Sequence, residues 1–276
     1  MKKIKFIVAM FFTIAISSSC KKTTCNVVEQ DTFPYKCETG MDVAFVVDYT
    51  GSMGYVIDSI KTNINSIANT IIAKSGGDYR LSLSIFDETN KGGTLNYLTK
   101  ADYLVLPAPQ KIKKTTGTTH DQYLTMMEKF NTANKISFNA QLAKLNTVSF
   151  PIGWGMTTAP EPGGMLADVI INSAFAGAWR PFKNKFVIII TDDVDGGDDG
   201  IANPTDDTFL TNLASLANVN GVQCILVTSQ PTVASNYSLK LIANNTGAIQ
   251  ATSANLQNIA PLINQMINNI CENNGK

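Results

Sequence analysis

The sequence predicts an α/β domain built on a doubly wound, mostly parallel sheet flanked by helices. Apolar runs of strand length alternate with segments of helical periodicity from residue 42 to residue 270, which is the pattern of a parallel sheet with crossover helices. Several of these runs are almost uninterrupted, as expected of strands covered on both faces. The chain has 276 residues, 44% hydrophobic and 16% charged, which is enough for one large domain or two small ones.

The N-terminus has the features of an export signal. Three lysines, Lys2, Lys3 and Lys5, precede an apolar run over 6–16 that is too short to span a bilayer. The small residues 17–19 before Cys20 resemble the lipobox of bacterial lipoproteins. We therefore interpret 1–19 as a lipoprotein signal peptide and Cys20 as the lipidation site; the alternative is an ordinary cleavage nearby that leaves Cys20 as a thiol.

The polar residues that follow, together with Cys20, form a tether over 20–40. A diacylated cysteine is a two-chain anchor that holds stably to a membrane. The expected location is that of an exported bacterial lipoprotein, anchored at the outer membrane or the cell surface.

The domain itself is predicted over 41–272 and begins with a strand over 42–48. A helix follows, because apolar residues recur at spacings of three and four from Val56 to Ile71. Gly76 and Gly77 end this helix. The next strand, 79–86, alternates polar and apolar residues, so we expect it nearer an edge of the sheet.

The stretch 88–150 is predicted to be an insertion on the surface of the domain. It contains turn residues over 90–93 and a possible strand over 103–106. Helical patterns are expected around 121–131 and 136–146.

The elements after residue 150 alternate more regularly. Helical patterns are expected from Leu166 to Ala174, from Asp206 to Ala217 and over 235–244. Buried strands are expected over 186–190 and 222–228, and a short strand over 248–251. A last helix carries apolar residues from Leu256 to Ile270, and Pro261 either kinks it or marks its true start.

Composition excludes several classes of function. The formal net charge is +0, so nothing favours nucleic acid as a partner. His120 is the only histidine and is expected on the surface of a polar loop, so neither a Ser-His-Asp arrangement nor a histidine-based zinc site is available. We therefore do not expect an enzyme.

The loop after the first strand carries the candidate chemistry. Asp48, Thr50 and Ser52 place oxygen-bearing side chains at alternate positions, so that all three can face one point. A carboxylate and two hydroxyls are hard ligands that suit Mg²⁺, Mn²⁺ or Ca²⁺. The competing interpretation is a helix-capping turn made by Asp48 and Ser52.

This loop resembles the D-x-S-x-S motif of von Willebrand factor A domains, with Thr50 in the place of the first serine. The loop over 157–164 (TTAPEPGG), followed by a helix and the strand that ends in Thr191-Asp192, resembles in order the I-like domain of integrin beta subunits. The resemblance implies that Glu161 and Asp192 belong to the metal site and that Thr158 is the alternative ligand of the second loop.

The resemblance also implies a function. Such a domain holds a divalent cation in a metal-ion-dependent adhesion site, and the ion binds an Asp or Glu carboxylate of a protein partner. The alternative is a structural scaffold whose domain does not bind metal.

Two further features of the sequence each allow two interpretations. The Asp-rich stretch 192–200 is either a second Ca²⁺ site or a set of solvated turns. Trp154 either faces a partner or packs over the insertion.

Four cysteines remain after Cys20, and one disulfide is expected among them. Cys224 lies in an apolar run and is predicted to be a buried thiol. In a parallel sheet, Cys37 precedes the first strand and Cys271 ends the last helix, so both belong at the face opposite the metal; paired cysteines in some A domains support this. We favour Cys37–Cys271 over a bridge from Cys25, with about 4 to 5 kcal/mol of stabilisation from the closed loop.

Overall fold

The protein is described here from a computed structural model. The structure describes residues 37–90, 111–116, 120–145, 173–192, 204–228, 251–252 and 256–273. The chain divides into two units, Met1–Asp31 and Thr32–Lys276, and every described residue lies in the second. None of the described helices is both long enough and apolar enough to cross a membrane.

The described strands form one sheet with the order β3-β4-β2-β1-β5-β6-β7. Their bounds are β1 Met41–Asp48, β2 Tyr79–Asn90, β3 Lys111–Thr116, β4 His120–Glu128, β5 Asn184–Thr191, β6 Val222–Thr228 and β7 Ala251–Thr252. Strand β1 pairs in parallel with β2 on one side and with β5 on the other. The pairs β5–β6 and β6–β7 are also parallel, whereas β4 runs antiparallel to β2 and β3.

Helices cover both faces of this sheet, so the predicted doubly wound α/β class is confirmed. The described helices are α1 Ile57–Lys74, α2 Lys135–Leu142, α3 Ser173–Ala176, α4 Pro204–Val219 and α5 Ala260–Asn273. Side chains of α1, α2 and α5 share one hydrophobic core with β1, and side chains of α3 and α4 share a second core on the opposite face. Strand β1 is therefore buried along its whole length.

Helix α1 forms for the reason that the sequence indicates. Its isoleucines at spacings of three and four are all buried against the sheet: Ile57, Ile60, Ile64, Ile67 and Ile71. The helix stops at Gly76 and Gly77, whose φ angles of 63° and 84° lie in the left-handed region that glycine tolerates.

Strand β2 is interior, so the prediction that it lies near an edge is wrong. It pairs with β1 on one side and with β4 on the other. Its alternating serines suggested an exposed face, but Ser82 and Ser84 are fully buried. Their hydroxyls find partners there, since Ser82 donates to Met126 Sδ at 3.5 Å and Ser84 donates to the Phe45 carbonyl at 3.3 Å.

The described part of 88–150 is integral to the domain rather than an insertion on its surface. Residues 88–90 extend β2, and β3 and β4 build the antiparallel edge of the sheet. Residues 121–128 of the expected helix around 121–131 are a strand, because Leu124 and Met126 alternate into the core that α3 and α4 share. The helix expected around 136–146 is present as α2, which buries Phe138 and Leu142. The possible strand over 103–106 lies outside the described residues.

Most of the later predictions are confirmed. The strands predicted at 186–190 and 222–228 are β5 and β6, and the helix predicted from Asp206 is α4. The last helix begins at Ala260, so Pro261 lies in its first turn, where a missing amide costs nothing. Of the helix expected from Leu166 to Ala174, only residues 173–174 are described, and they lie in α3. The helix expected over 235–244 lies outside the described part. His120 lies in β4 rather than in a loop.

A disulfide and a charged network close the end of the sheet at which the parallel strands begin. Cys37 is bonded to Cys271, with a Cα–Cα distance of 5.3 Å, as favoured from the sequence over a bridge from Cys25. Cys224 is a buried thiol in β6. Close to the start of β1, Asp42 is fully buried and forms ion pairs with Arg80 and Arg180.

Candidate metal centre

The candidate site lies where β1 and β5 end side by side. Asp48 is the last residue of β1, and Thr191 is the last residue of the adjacent parallel strand β5. After β1 the chain turns into a short 3-10 helix, Gly51–Tyr55, with Thr50 at its N-cap. Carboxyl ends of neighbouring strands at the point where the topology diverges are the usual position of a ligand site in such sheets.

The side chains at this edge form one continuous chain of hydrogen bonds. Asp48 Oδ1 accepts from the Thr50 amide at 2.9 Å and from Thr50 Oγ1 at 2.7 Å. Thr50 Oγ1 lies 3.1 Å from Ser52 Oγ, which donates to Asp192 Oδ1 at 2.9 Å. The other oxygen of Asp48, Oδ2, accepts from Thr191 Oγ1 at 2.7 Å. Two carboxylates and three hydroxyls are therefore gathered at one point.

Burial decreases outward along this chain of side chains. Asp48 and Thr50 are buried, whereas Ser52 is exposed and Asp192 is partly exposed. We call the buried Asp48 carboxylate the base of the site, and the exposed Ser52 hydroxyl together with the partly exposed Asp192 carboxylate its rim.

The carboxylate at the base is in an environment that disfavours its charge. Burial raises the pKa of Asp48 from 3.8 to about 7, and the charge of Asp192 adds to the increase. Hydrogen bonds from Thr50 and Thr191 act in the opposite direction without cancelling it. Burial also raises the pKa of Asp192, although the hydrogen bond from Ser52 lowers it.

A hard divalent cation fits this donor set. The hydroxyl and carboxylate oxygens are of the type that Mg²⁺, Mn²⁺ and Ca²⁺ prefer. Among the described residues, no lysine or arginine forms an ion pair with Asp48 or Asp192. In the same part of the chain, no three Asp, Glu, His or Cys side chains are grouped as a metal site would need, so an ion here would depend on hydroxyl ligands as well.

The structure brings together four of the six predicted metal-site residues. Asp48, Thr50 and Ser52 from the first loop meet Asp192 from the end of β5. Thr158 and Glu161 lie outside the described residues, as do Trp154, Cys20, Cys25 and the acidic residues over 193–200. The metal-ligand roles of all six residues stay predictions.

The alternative of a simple capping turn accounts for only part of this arrangement. Asp48 does accept from the amide of Thr50 two residues later, as in an Asx-turn. Ser52, however, donates across the sheet to Asp192, and no side chain caps the 3-10 helix through Thr50. The sequence did not predict that Thr191 contacts the site, although Thr191 directly precedes the predicted ligand Asp192.

No protein-family model matches the chain, and no curated protein matches it in sequence. Among solved structures, proximal thread matrix protein 1 from the mussel byssus is similar with a TM-score of 0.53 at 12% identity, over 86% of this chain and 49% of that chain.

The same mussel protein with a zinc-occupied MIDAS motif gives a TM-score of 0.48 at 13% identity, over 86% of this chain and 49% of that chain. The pilus adhesin SpaC from Lactobacillus rhamnosus GG gives 0.47 at 14% identity, over 85% and 30%.

This chain spans about half the length of the mussel structures. At 12% identity the likeness to the first of them supports the fold alone. It is consistent with the von Willebrand factor A type of α/β fold to which the motifs pointed, with β1 at the centre of the sheet and helices on both faces.

Proposed function

We propose that this protein is a surface-anchored binding module that holds a divalent cation at the end of β1 and recognises a carboxylate of a protein partner. One observation carries the proposal. Asp48 is a fully buried carboxylate beside a second acid, and none of the described cationic side chains compensates its charge. Burial of an uncompensated charge destabilises the fold. A cation bound at this site would compensate the charge, and the attraction between them would contribute to cation affinity.

Under this proposal, residues at the rim of the site and the residue at its buried base would have different roles in cation binding. Thr50 and Ser52 present hydroxyl oxygens toward the rim, and Asp192 adds a partly exposed carboxylate there. Asp48 supplies negative charge from below while its hydrogen bonds keep the loop in place. A divalent cation held at these oxygens would supply a Lewis-acidic position for one more oxygen ligand.

The partner would be acidic because the described groups at the rim carry little charge. The hydroxyls of Thr50 and Ser52 are neutral, Asp48 lies at the buried base, and Asp192 is the single carboxylate at the rim among the described residues. An Asp or Glu side chain from another protein would therefore complete both the coordination and the charge balance. Recognition of this kind involves no chemistry on the partner.

A thermal-unfolding titration tests the cation. Mg²⁺, Mn²⁺ or Ca²⁺ should raise the melting temperature relative to EDTA, since a ligand that binds only the folded state stabilises it. Asp48→Ala should abolish the increase. Asp58→Asn is the matched control, because Asp58 forms an exposed ion pair with Lys61 on α1 and lies outside the site.

Recognition of a partner carboxylate is tested with the same thermal-unfolding measurement. A short peptide that contains glutamate, added with the cation, should raise the melting temperature further, and the glutamine version of the peptide should not. Coincident wild-type melting curves with and without EDTA would instead favour the alternative of a scaffold that does not bind metal.

Anchoring at Cys20 is part of the same proposal. The lipobox-like residues before Cys20 support it. Metabolic labelling with a palmitate analogue should mark the wild-type protein and not Cys20→Ala. Equal labelling of both proteins would refute lipidation at this residue.

A further inference from the structure

We infer that Thr191 is a positioning residue that holds the Asp48 carboxylate in the orientation the cation requires. This inference rests on the proposed cation binding and adds a residue that the D-x-T-x-S pattern does not contain. Its basis is the 2.7 Å hydrogen bond from Thr191 Oγ1 to Asp48 Oδ2, formed between two side chains that are both fully buried.

The two oxygens of Asp48 are held from different parts of the chain. Oδ1 is bound by Thr50, which belongs to the same loop and moves with it. Oδ2 is bound by Thr191, the last residue of β5, which pairs in register with Thr228 of β6. Among the hydrogen bonds of the described residues, the one from Thr191 ties the carboxylate to a neighbouring strand of the sheet.

Asp192, the residue directly after β5, holds the other end of the loop. Asp192 accepts a hydrogen bond from Ser52, while Thr191 donates one to Asp48. Two successive residues at the end of one strand therefore hold the first and last members of the motif. Without Thr191 the carboxylate can turn about its side-chain torsions, and cation binding must then supply the ordering that the folded protein now provides.

Thr191→Val tests this directly, because valine keeps the branched shape and removes the hydroxyl. Loss of a hydrogen bond behind a metal ligand typically costs about 10- to 100-fold in metal affinity. We expect a loss of that size in a Mn²⁺ titration. Thr191→Ser keeps the hydroxyl and should retain most of the wild-type affinity.

Thr228→Val is the matched control. Thr228 is the register partner of Thr191 on β6, is also fully buried and lies one strand further from Asp48. Both valine variants lose one buried threonine hydroxyl at the end of a strand, so in EDTA their urea midpoints should fall by similar amounts. Only Thr191→Val should weaken Mn²⁺ binding.

The outcomes separate the two proposals. If the wild type does not bind Mn²⁺, the proposed function fails. If the wild type binds and Thr191→Val binds equally well, or if Thr228→Val weakens binding as much, the cation site stands and the positioning role of Thr191 is overturned.

Discussion

An aspartate is buried at each end of β1, and the two carboxylates are contacted by different kinds of groups. Asp42 near the start of the strand and Asp48 at its end are both fully buried. Asp42 Oδ1 accepts from Arg80 Nε at 2.9 Å and from Arg180 Nε at 2.8 Å, so guanidinium groups compensate its charge within the fold. Asp48 is bound by hydroxyls and one amide instead.

The two ends of the strand differ in whether described side chains compensate the charge of the buried aspartate. At Asp42 the charge, the hydrogen bonds and the packing are all supplied by the chain, and Arg80 also packs 5.0 Å from the ring centroid of Phe130. At Asp48 the hydrogen bonds are present, but no cation comes from the described residues. The first end is therefore neutralised by side chains of the fold itself, whereas under the proposed function a bound cation would neutralise the second.

Breaking the Asp42 end should have the largest effect. Asp42→Asn removes the counter-charge of the partly buried Arg80 and one of the two counter-charges of Arg180, which keeps Asp78. Breaking a buried ion pair in this way typically costs about 3 to 5 kcal/mol of unfolding free energy. Urea unfolding should show this loss equally with Mg²⁺ and with EDTA. A loss that depends on the cation would mean that the two ends are not independent.

Breaking the Asp48 end should have a smaller effect of opposite sign. In EDTA at pH 8, Asp48→Asn removes an uncompensated buried charge and should raise the free energy of unfolding by about 2 to 4 kcal/mol. The Thr191 hydroxyl can rotate to accept from the new amide. The same variant should lose the stabilisation by Mg²⁺, so its unfolding curves with the cation and with EDTA should coincide.

The pH dependence of the metal-free wild type sharpens the same prediction. The folded pKa of Asp48, about 7, lies above its ordinary value of 3.8, so the folded state binds the proton more tightly. Its contribution to stability is fully present below pH 3.8 and is lost as the pH rises through about 7. Stability in EDTA should therefore fall between about pH 4 and about pH 7, and Asp48→Asn should flatten this slope.

The parts of the fold that were predictable depend on local periodicity. The apolar spacing in α1 and the unbroken apolar runs of β1, β5 and β6 specify their structure within a few residues. The errors arise where tertiary packing decides. Buried serines in β2 looked like an exposed edge, and β4 looked helical because two methionines and a leucine lie within four positions.

The site divides in the same way. The spacing of Asp48, Thr50 and Ser52 is local, so their convergence could be predicted from the sequence. The contact of Thr191 with Asp48 joins residues 143 positions apart and depends on the parallel register of β1 and β5. No pattern within a single loop reveals such a contact, although the position of Thr191 beside Asp192 at the end of a strand is a usable signal.

The bond between Cys37 and Cys271 determines how the domain would carry mechanical force. A pull on the chain that precedes Cys37 enters the fold at Cys37, from which the backbone leads to β1 and the disulfide leads to α5. Because β1 is paired along both edges with parallel neighbours, a load along the strand acts on both ladders in shear. Many hydrogen bonds must then break together rather than one at a time. The load follows β1, which is paired on both edges and ends at Asp48 in the candidate cation site.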